Sequence, residues 1–271
     1  MSARTYLFVP GNRPERFAKA LASGADAVVF DLEDAVAPEA KGAARDAIAD
    51  WAAGAAPATR ERIVVRVNDA TSAHFADDLR LLKETDLAVA MLPKAESAEQ
   101  VSLLCAGLRG ALVLALIESA PGVAQVDAIA AAPGVTRLVF GTLDFAFDLD
   151  LDISESSDGL AYASSRIALA SRLAGRLAPV AGVTPQIDDE ARLLADLALS
   201  RRHGFGAKLC IHPRQVAPIH AALAPNADAV IWARRVLAAD AASPGAAQLD
   251  GRMVDRPVVL QAQRTLQRAG H

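Results

Sequence analysis

Short apolar runs rich in β-branched residues alternate along this chain with longer Ala/Leu-rich amphipathic segments, at intervals of roughly 25–35 residues. The runs predict strands over Tyr6–Val9, Ala27–Phe30, Ile63–Val67, Leu87–Leu92, Leu112–Ile117, Arg137–Phe140, Leu177–Ala181 and Gly206–Ile211. The segments between predict helices over Pro14–Ala22, Lys41–Ala53, Ala73–Lys83, Ser97–Ala106, Pro121–Ala131, Gly159–Arg176, Asp189–Arg202 and Pro213–Ala222. Several open on Pro or Ser, as a first helical turn prefers. Eight βα units predict an α/β fold closed into a (β/α)8 TIM barrel, with an open doubly wound sheet as the alternative. The seventh run is the weakest strand, because it carries Pro179 and little β-branching.

Past Ala222 the rhythm stops. A helix near Ala227–Asp240, a Ser-Pro-Gly linker at Ser243–Gly245 and a last helix near Arg256–Arg268 follow. Residues 1–222 therefore read as the catalytic barrel. Residues 223–271 read as a C-terminal helical extension, too short for a large core of its own, that packs on the barrel or on a neighbouring subunit.

A length of 271 residues suits one barrel, and 52% hydrophobic against 22% charged residues describes a globular chain. The net charge of −4 offers no basic surface for nucleic acid, so an anionic ligand must be met by a local cluster of Lys or Arg. Cys105 and Cys210 are far apart, without zinc-ligand spacing, and read as reduced core residues. The N-terminal MSARTYLFVPGNRPERF lacks a signal-peptide pattern, and no apolar stretch reaches the roughly 18 residues of a membrane span. These features predict a cytoplasmic protein without a membrane partner.

Polar residues cluster at the C-terminal ends of the predicted strands: Pro10-Gly11-Asn12-Arg13, Asp31 to Asp34, Arg66-Val67-Asn68, Pro93-Lys94, Glu118-Ser119, Gly141 to Asp144 and Lys208 to His212. In a barrel these ends share the face on which barrel enzymes work. Glu118 and Asp144 follow consecutive strands and form half of a site for a hard divalent cation such as Mg2+, which takes carboxylate oxygens and keeps positions for water or substrate. Helix capping or pairing with an Arg is the other reading of each carboxylate.

Arg66 suits a substrate carboxylate or oxyanion, or equally serves as counter-ion to Asp31, Glu33 or Asp34. The crowding of those three acids is tolerated mainly where it is used, although Asp34 alone reads equally well as a helix cap. Asn12, Arg13 and Arg16 lie in a cationic turn suited to phosphate, a weak signal on its own. Lys94 and Lys208 read more readily as salt-bridge partners than as imine-forming lysines, and His212 as a loop-fixing hydrogen-bonder. No Ser-His-Asp elbow, zinc signature or dinucleotide fingerprint occurs.

Taken together, YLFVPGNRPERFAKAL, DAVVFDLEDAVAPEAK, VRVN, LPKAES, ALIESAPGV, LVFGTLDF, AKLCIHPRQV and LDGRMVDRPVVLQAQ closely resemble the citrate lyase beta-subunit-like branch of the HpcH/HpaI aldolase family. The resemblance implies a Mg2+-dependent homotrimeric barrel that cleaves a carbon–carbon bond in citryl, malyl, citramalyl or related thioesters. By motif position it implies Glu118 and Asp144 as metal ligands and Arg66 as the holder of substrate oxygens. Glu33 and Asp34 become the acidic pair beside the metal, and Asn12, Arg13 and Arg16 the lining of the coenzyme A entrance. Asp255 becomes the acid/base that reaches a neighbouring subunit's site. A (3S)-citramalyl-CoA-like substrate, giving a 2-oxo acid and acetyl-CoA, is the expected acyl-CoA, ahead of malyl-CoA and a citryl thioester. A non-catalytic oligomeric scaffold is a minor alternative. The chain departs from the family where many relatives follow the metal Asp with Asp-Leu-Gly and this one reads Phe145-Ala-Phe-Asp-Leu-Asp150.

Overall fold

A computed structural model describes residues 3–154, 157–243 and 247–270. The chain divides into two compact units, Met1–Ile219 and His220–His271.

The first unit is a closed barrel of eight parallel strands in sequence order. They are β1 (Thr5–Pro10), β2 (Ala27–Asp31), β3 (Ile63–Arg66), β4 (Val89–Leu92), β5 (Leu112–Ile117), β6 (Val135–Phe140), β7 (Val180–Ala181) and β8 (Ala207–Cys210). Closure follows from the period of two along each strand, which turns one apolar set inward. Tyr6, Val29, Val64, Met91, Leu114, Leu116, Val139, Val180 and Leu209 form that inner cluster. The intervening residues, such as Val28, Phe30, Val65 and Ala90, are buried as well. Burial on both faces is why these runs read as continuously apolar. Arg137 is buried, and its guanidinium donates to the carbonyls of Ala3 and Ala178 and to the Tyr6 hydroxyl.

β7 shrinks to two residues. Pro179 has no N–H for the ladder, and its carbonyl accepts from Gly206 instead. β4 begins at Val89 rather than Leu87, because Asp86 closes the preceding helix in a left-handed conformation, φ 56°. The predicted helix over Pro14–Ala22 opens as a 3-10 turn at Pro14–Arg16 and is α-helical only over Phe17–Leu21. The predicted Pro121–Ala131 helix is two, Ala120–Ala124 and Val126–Ala131. Ser97 caps the helix Ala98–Gly107 with a reciprocal capping box to Gln100. A helix over Thr142–Asp148, directly after β6, was not evident in the periodicity, and it carries Asp144.

Cys210 is buried, and that burial pushes its thiol up to about 12. Cys105 is only half-buried, so the expectation of two core cysteines holds for one. Among the described residues no helix is long and apolar enough to cross a membrane.

The second unit holds the helices Ala227–Ala242 and Arg256–Arg268, which share a small core of Ala233, Val236, Val254 and Ala262. The sequence suggested only a linker between them. The structure has an antiparallel hairpin there, β9 (Ala247–Leu249) and β10 (Arg252–Val254). Asp250 and Gly251 form its two-residue turn with φ of 50° and 75°, the positive values that a tight hairpin requires. Pro244 and Gly245 of the expected linker lie outside the described residues.

Candidate active site

The C-terminal ends of the strands surround a cavity of about 360 Å³ whose walls include Phe8, Asp31, Asp34, Arg66, Glu118, Thr142, Asp144 and Leu209. Sheet register brings Asp31 and Arg66 together, since they are paired last residues of β2 and β3. Arg66 Nε and Nη2 donate to the two carboxylate oxygens of Asp31 at 2.7 and 2.6 Å, a bidentate pair. Its Nη1 lies 2.8 Å from Glu33 Oε2 and 3.6 Å from Asp34 Oδ2. The Phe8 ring lies 5.0 Å from the guanidinium carbon. Burial opposes charge on Arg66, but Asp31, then Glu33 and Asp34, drive its pKa above the ordinary arginine value. Of the two roles open to Arg66 in the sequence, counter-ion is thus filled, although the side chain also lines the cavity.

Asp31 accepts the backbone N–H groups of Glu33 and Ala35 and so shapes the loop beyond β2. Glu33 is buried while Asp34 is 59% exposed at its side chain and caps no helix. Burial raises the pKa of Glu33, with Arg66 and Lys94 opposing and Asp34 reinforcing the shift. Glu33 Oε2 has Arg66 as a charge partner without hydrogen-bond geometry.

Glu118 follows the last residue of β5 and is buried. Its Oε1 accepts the backbone N–H of Lys94 at 2.7 Å. Its Oε2 packs against Gly141, where a Cβ would lie 2.5 Å away. Burial pushes the Glu118 carboxyl up to about 8; the Lys94 N–H works against this, and the charges of Glu33 and Asp144 add to it. Asp144 reaches the same cavity from the first turn of the helix Thr142–Asp148, one turn beyond the strand end at which it was expected. Asp148, on the same helix, accepts the Ala120 N–H at 2.7 Å and ties that helix to the loop after Glu118. Ser119 donates to Glu96 at 2.6 Å, fixing the same loop to the one after β4.

Five carboxylates, Asp31, Glu33, Asp34, Glu118 and Asp144, thus surround two cations, Arg66 and Lys94, a formal excess of three negative charges. Among the described residues no three potential metal-ligating side chains converge. Two carboxylates with uncompensated charge, on one open cavity, fit a hard dication that keeps most of its positions for water or substrate.

The remaining predicted residues make other contacts. Arg13 and Arg16 are exposed, each 3.8 Å from Glu15, and Asn12 is half-buried beside them. Asp255 belongs to the second unit, where it caps the helix Arg256–Arg268 by accepting the Val258 N–H at 3.2 Å. His212 caps its loop by accepting the Arg214 N–H, the loop-fixing role expected of it. Lys208 is buried, donates to the Gly182 carbonyl at 2.7 Å, and is lowered to about 8 by burial. Asp150, at the end of the departing stretch after Asp144, has a φ of 52°, which a glycine adopts freely. Lys94 pairs with Glu33, the salt-bridge role expected of it, while its backbone contact with Glu118 and the close approach of Gly141 left no signal in the sequence.

Residues 4–213 match the family described as HpcH/HpaI aldolase/citrate lyase. A citrate lyase subunit beta-like protein of Mycobacterium tuberculosis is 40% identical over 270 residues, 98% of this chain and 95% of that protein. A (3S)-malyl-CoA thioesterase of Cereibacter sphaeroides is 32% identical over 270 residues, 98% of this chain and 94% of the relative. The crystal structure of CitE from Mycobacterium tuberculosis in complex with magnesium, acetoacetate and coenzyme A superposes with a TM-score of 0.88 at 38% identity, covering 100% of this chain and 99% of that one. A family match across the whole barrel and a relative this similar over nearly the full length place the chain in the HpcH/HpaI aldolase/citrate lyase family.

Proposed function

We propose that the protein is a Mg2+-dependent carbon–carbon lyase that cleaves a 3-hydroxyacyl-CoA, of the citramalyl-CoA kind, into a 2-oxo acid and acetyl-CoA. The observation that carries this reading is the meeting of Glu118 and Asp144 on one cavity with Arg66. These two carboxylates hold Mg2+ in this reading, as the excess of negative charge favours. When bound, such a cation polarises oxygen ligands and absorbs negative charge.

The chain's own groups divide the remaining work. Asp34, the exposed acid on the cavity wall, accepts the substrate hydroxyl proton. As the hydroxyl oxygen becomes a carbonyl, the adjacent carbon–carbon bond breaks and its electron pair passes to the thioester as an enolate. Arg66, cationic and backed by Asp31 and Glu33, offsets charge at the cavity wall. Asp255 of a neighbouring subunit, in a homotrimer, protonates the enolate carbon to give acetyl-CoA. Arg13, Arg16 and Asn12 meet the coenzyme A phosphates at the entrance. The reading implies a cytoplasmic enzyme, where acyl-CoA is present, and a C-terminal extension that serves the neighbouring subunit. Malyl-CoA and a citryl thioester are alternative substrates.

The thioesterase relative supports a second reading, in which the same site hydrolyses malyl-CoA. One experiment separates them. Citramalyl-, malyl- and citryl-CoA are incubated with and without Mg2+ while 2-oxo acid and free thiol are followed. The lyase reading expects Mg2+-dependent 2-oxo acid release; thiol release with intact malate favours the thioesterase. Unchanged cleavage by Glu118→Ala or Asp144→Ala in Mg2+ rejects both.

A further inference from the structure

Alternation along β8 sends Ala207 and Leu209 into the inner barrel cluster and Lys208 the other way, towards the surrounding helices. Lys208 is only 2% exposed, and its ammonium donates to the Gly182 carbonyl at 2.7 Å. It lines a second cavity, of about 80 Å³, whose other walls come from the barrel and from the helices Ala161–Leu173 and Glu190–Arg202.

The charges around this cavity do not balance among the described residues. Arg192 Nε donates to Asp196 Oδ1 at 2.9 Å, and Asp196 Oδ2 accepts the Thr184 hydroxyl at 2.7 Å, so that carboxylate is committed. Lys208 has no ion-pair partner among the described residues, and the salt bridge expected of it in the sequence is not formed. Burial lowers its pKa to about 8 against the charge of Asp196, which leaves it cationic at neutral pH. A buried cation without a counter-ion is costly, and one hydrogen bond leaves two ammonium N–H donors to place. Thr142 and Ser164 also line the cavity, and neither hydroxyl is hydrogen-bonded to another described residue. Water accepts from such donors but leaves the charge of the ammonium uncompensated.

We propose that this cavity is a binding site for one small inorganic anion, held by the Lys208 ammonium with the Thr142 and Ser164 hydroxyls as further donors. The volume admits a few waters or one such ion and excludes an acyl-CoA. Thr142 lines this cavity and the larger one alike, so the anion rests behind the first residue of the helix that carries Asp144. The site stands apart from the reaction proposed above and does not depend on it.

Calorimetric titration of phosphate and of chloride into the full-length protein tests this, at neutral pH, at constant ionic strength and without Mg2+. Saturable binding of one anion per chain is expected. Lys208→Met is expected to weaken it at least tenfold, while a protein carrying both Arg13→Ala and Arg16→Ala keeps it within twofold. Ser164→Ala, expected to weaken binding at least threefold, carries the test if the Lys208 variant does not fold. No saturable binding of either anion means a cavity filled by water and overturns the proposal. So does binding that the folded Lys208→Met protein retains, or that the Arg13 and Arg16 substitutions abolish.

Discussion

Gly141 packs directly against Glu118: a Cβ at residue 141 would lie 2.5 Å from Glu118 Oε2 and 2.6 Å from Glu118 Cβ. Its φ of −83° is open to any residue, so the glycine is required by close approach and not by backbone conformation. Gly141→Ala is expected to keep the fold, cost about 1–3 kcal/mol as an overpacked core site does, and turn the Glu118 carboxylate aside. Mg2+ titration of the folded variant checks this, with at least a tenfold weaker affinity expected. Unchanged affinity would remove Gly141 from the site.

Glu118 also sets a pH dependence. Burial first, then Glu33 and Asp144, place its folded-state pKa at about 8, against an ordinary value of 4.5. A carboxyl whose pKa is raised by folding contributes stability that is fully present below the unfolded value and is lost as pH rises through the folded one. The metal-free protein is therefore expected to lose stability between about pH 4.5 and 8 through this group. Mg2+ requires the ionised form, so its affinity is expected to rise by about tenfold per pH unit and level off above pH 8. Calorimetry in buffers of different ionisation enthalpy detects the released proton. Glu118→Gln should abolish both effects, and a pH-independent affinity in the parent protein contradicts the assignment.

Asp150 holds a left-handed conformation, φ 52°, just past the helix that carries Asp144. A side chain there costs about 1 kcal/mol that glycine does not incur. Asp150→Gly is expected to raise stability to denaturant by about that amount. A loss of stability would show that Asp150 makes compensating contacts.

The barrel was legible because its strands are buried on both faces, so Ile63, Val64 and Val65 or Val113 to Ile117 form apolar runs that no surface segment imitates. β7 was nearly lost, because two residues beside a proline leave almost no pattern. The β9–β10 hairpin left a signal that went unread, the Asp250-Gly251 pair between short runs. Glu118 and Arg66 were legible as strand-end polar residues, whereas Asp144, read the same way, sits a helical turn beyond its strand. The engagement of Arg66 by Asp31 depends on cross-strand register, and the contact of Lys94 with Glu118 on a left-handed turn; neither is encoded in local spacing.

Asp255 caps a helix and is also the proposed acid, two roles that one substitution can separate. As the cap of the helix Arg256–Arg268 it needs only a side-chain oxygen for the Val258 N–H, which serine also supplies. As the proposed acid it needs a carboxyl. Asp255→Ala should lose both, destabilising the C-terminal unit by about 1 kcal/mol. Asp255→Ser should keep the helix, followed by circular dichroism and Tm, while lowering kcat by about 10²–10⁴ with little change in Mg2+ affinity. Full turnover in the serine variant would leave Asp255 a helix cap alone and require another group to protonate the enolate.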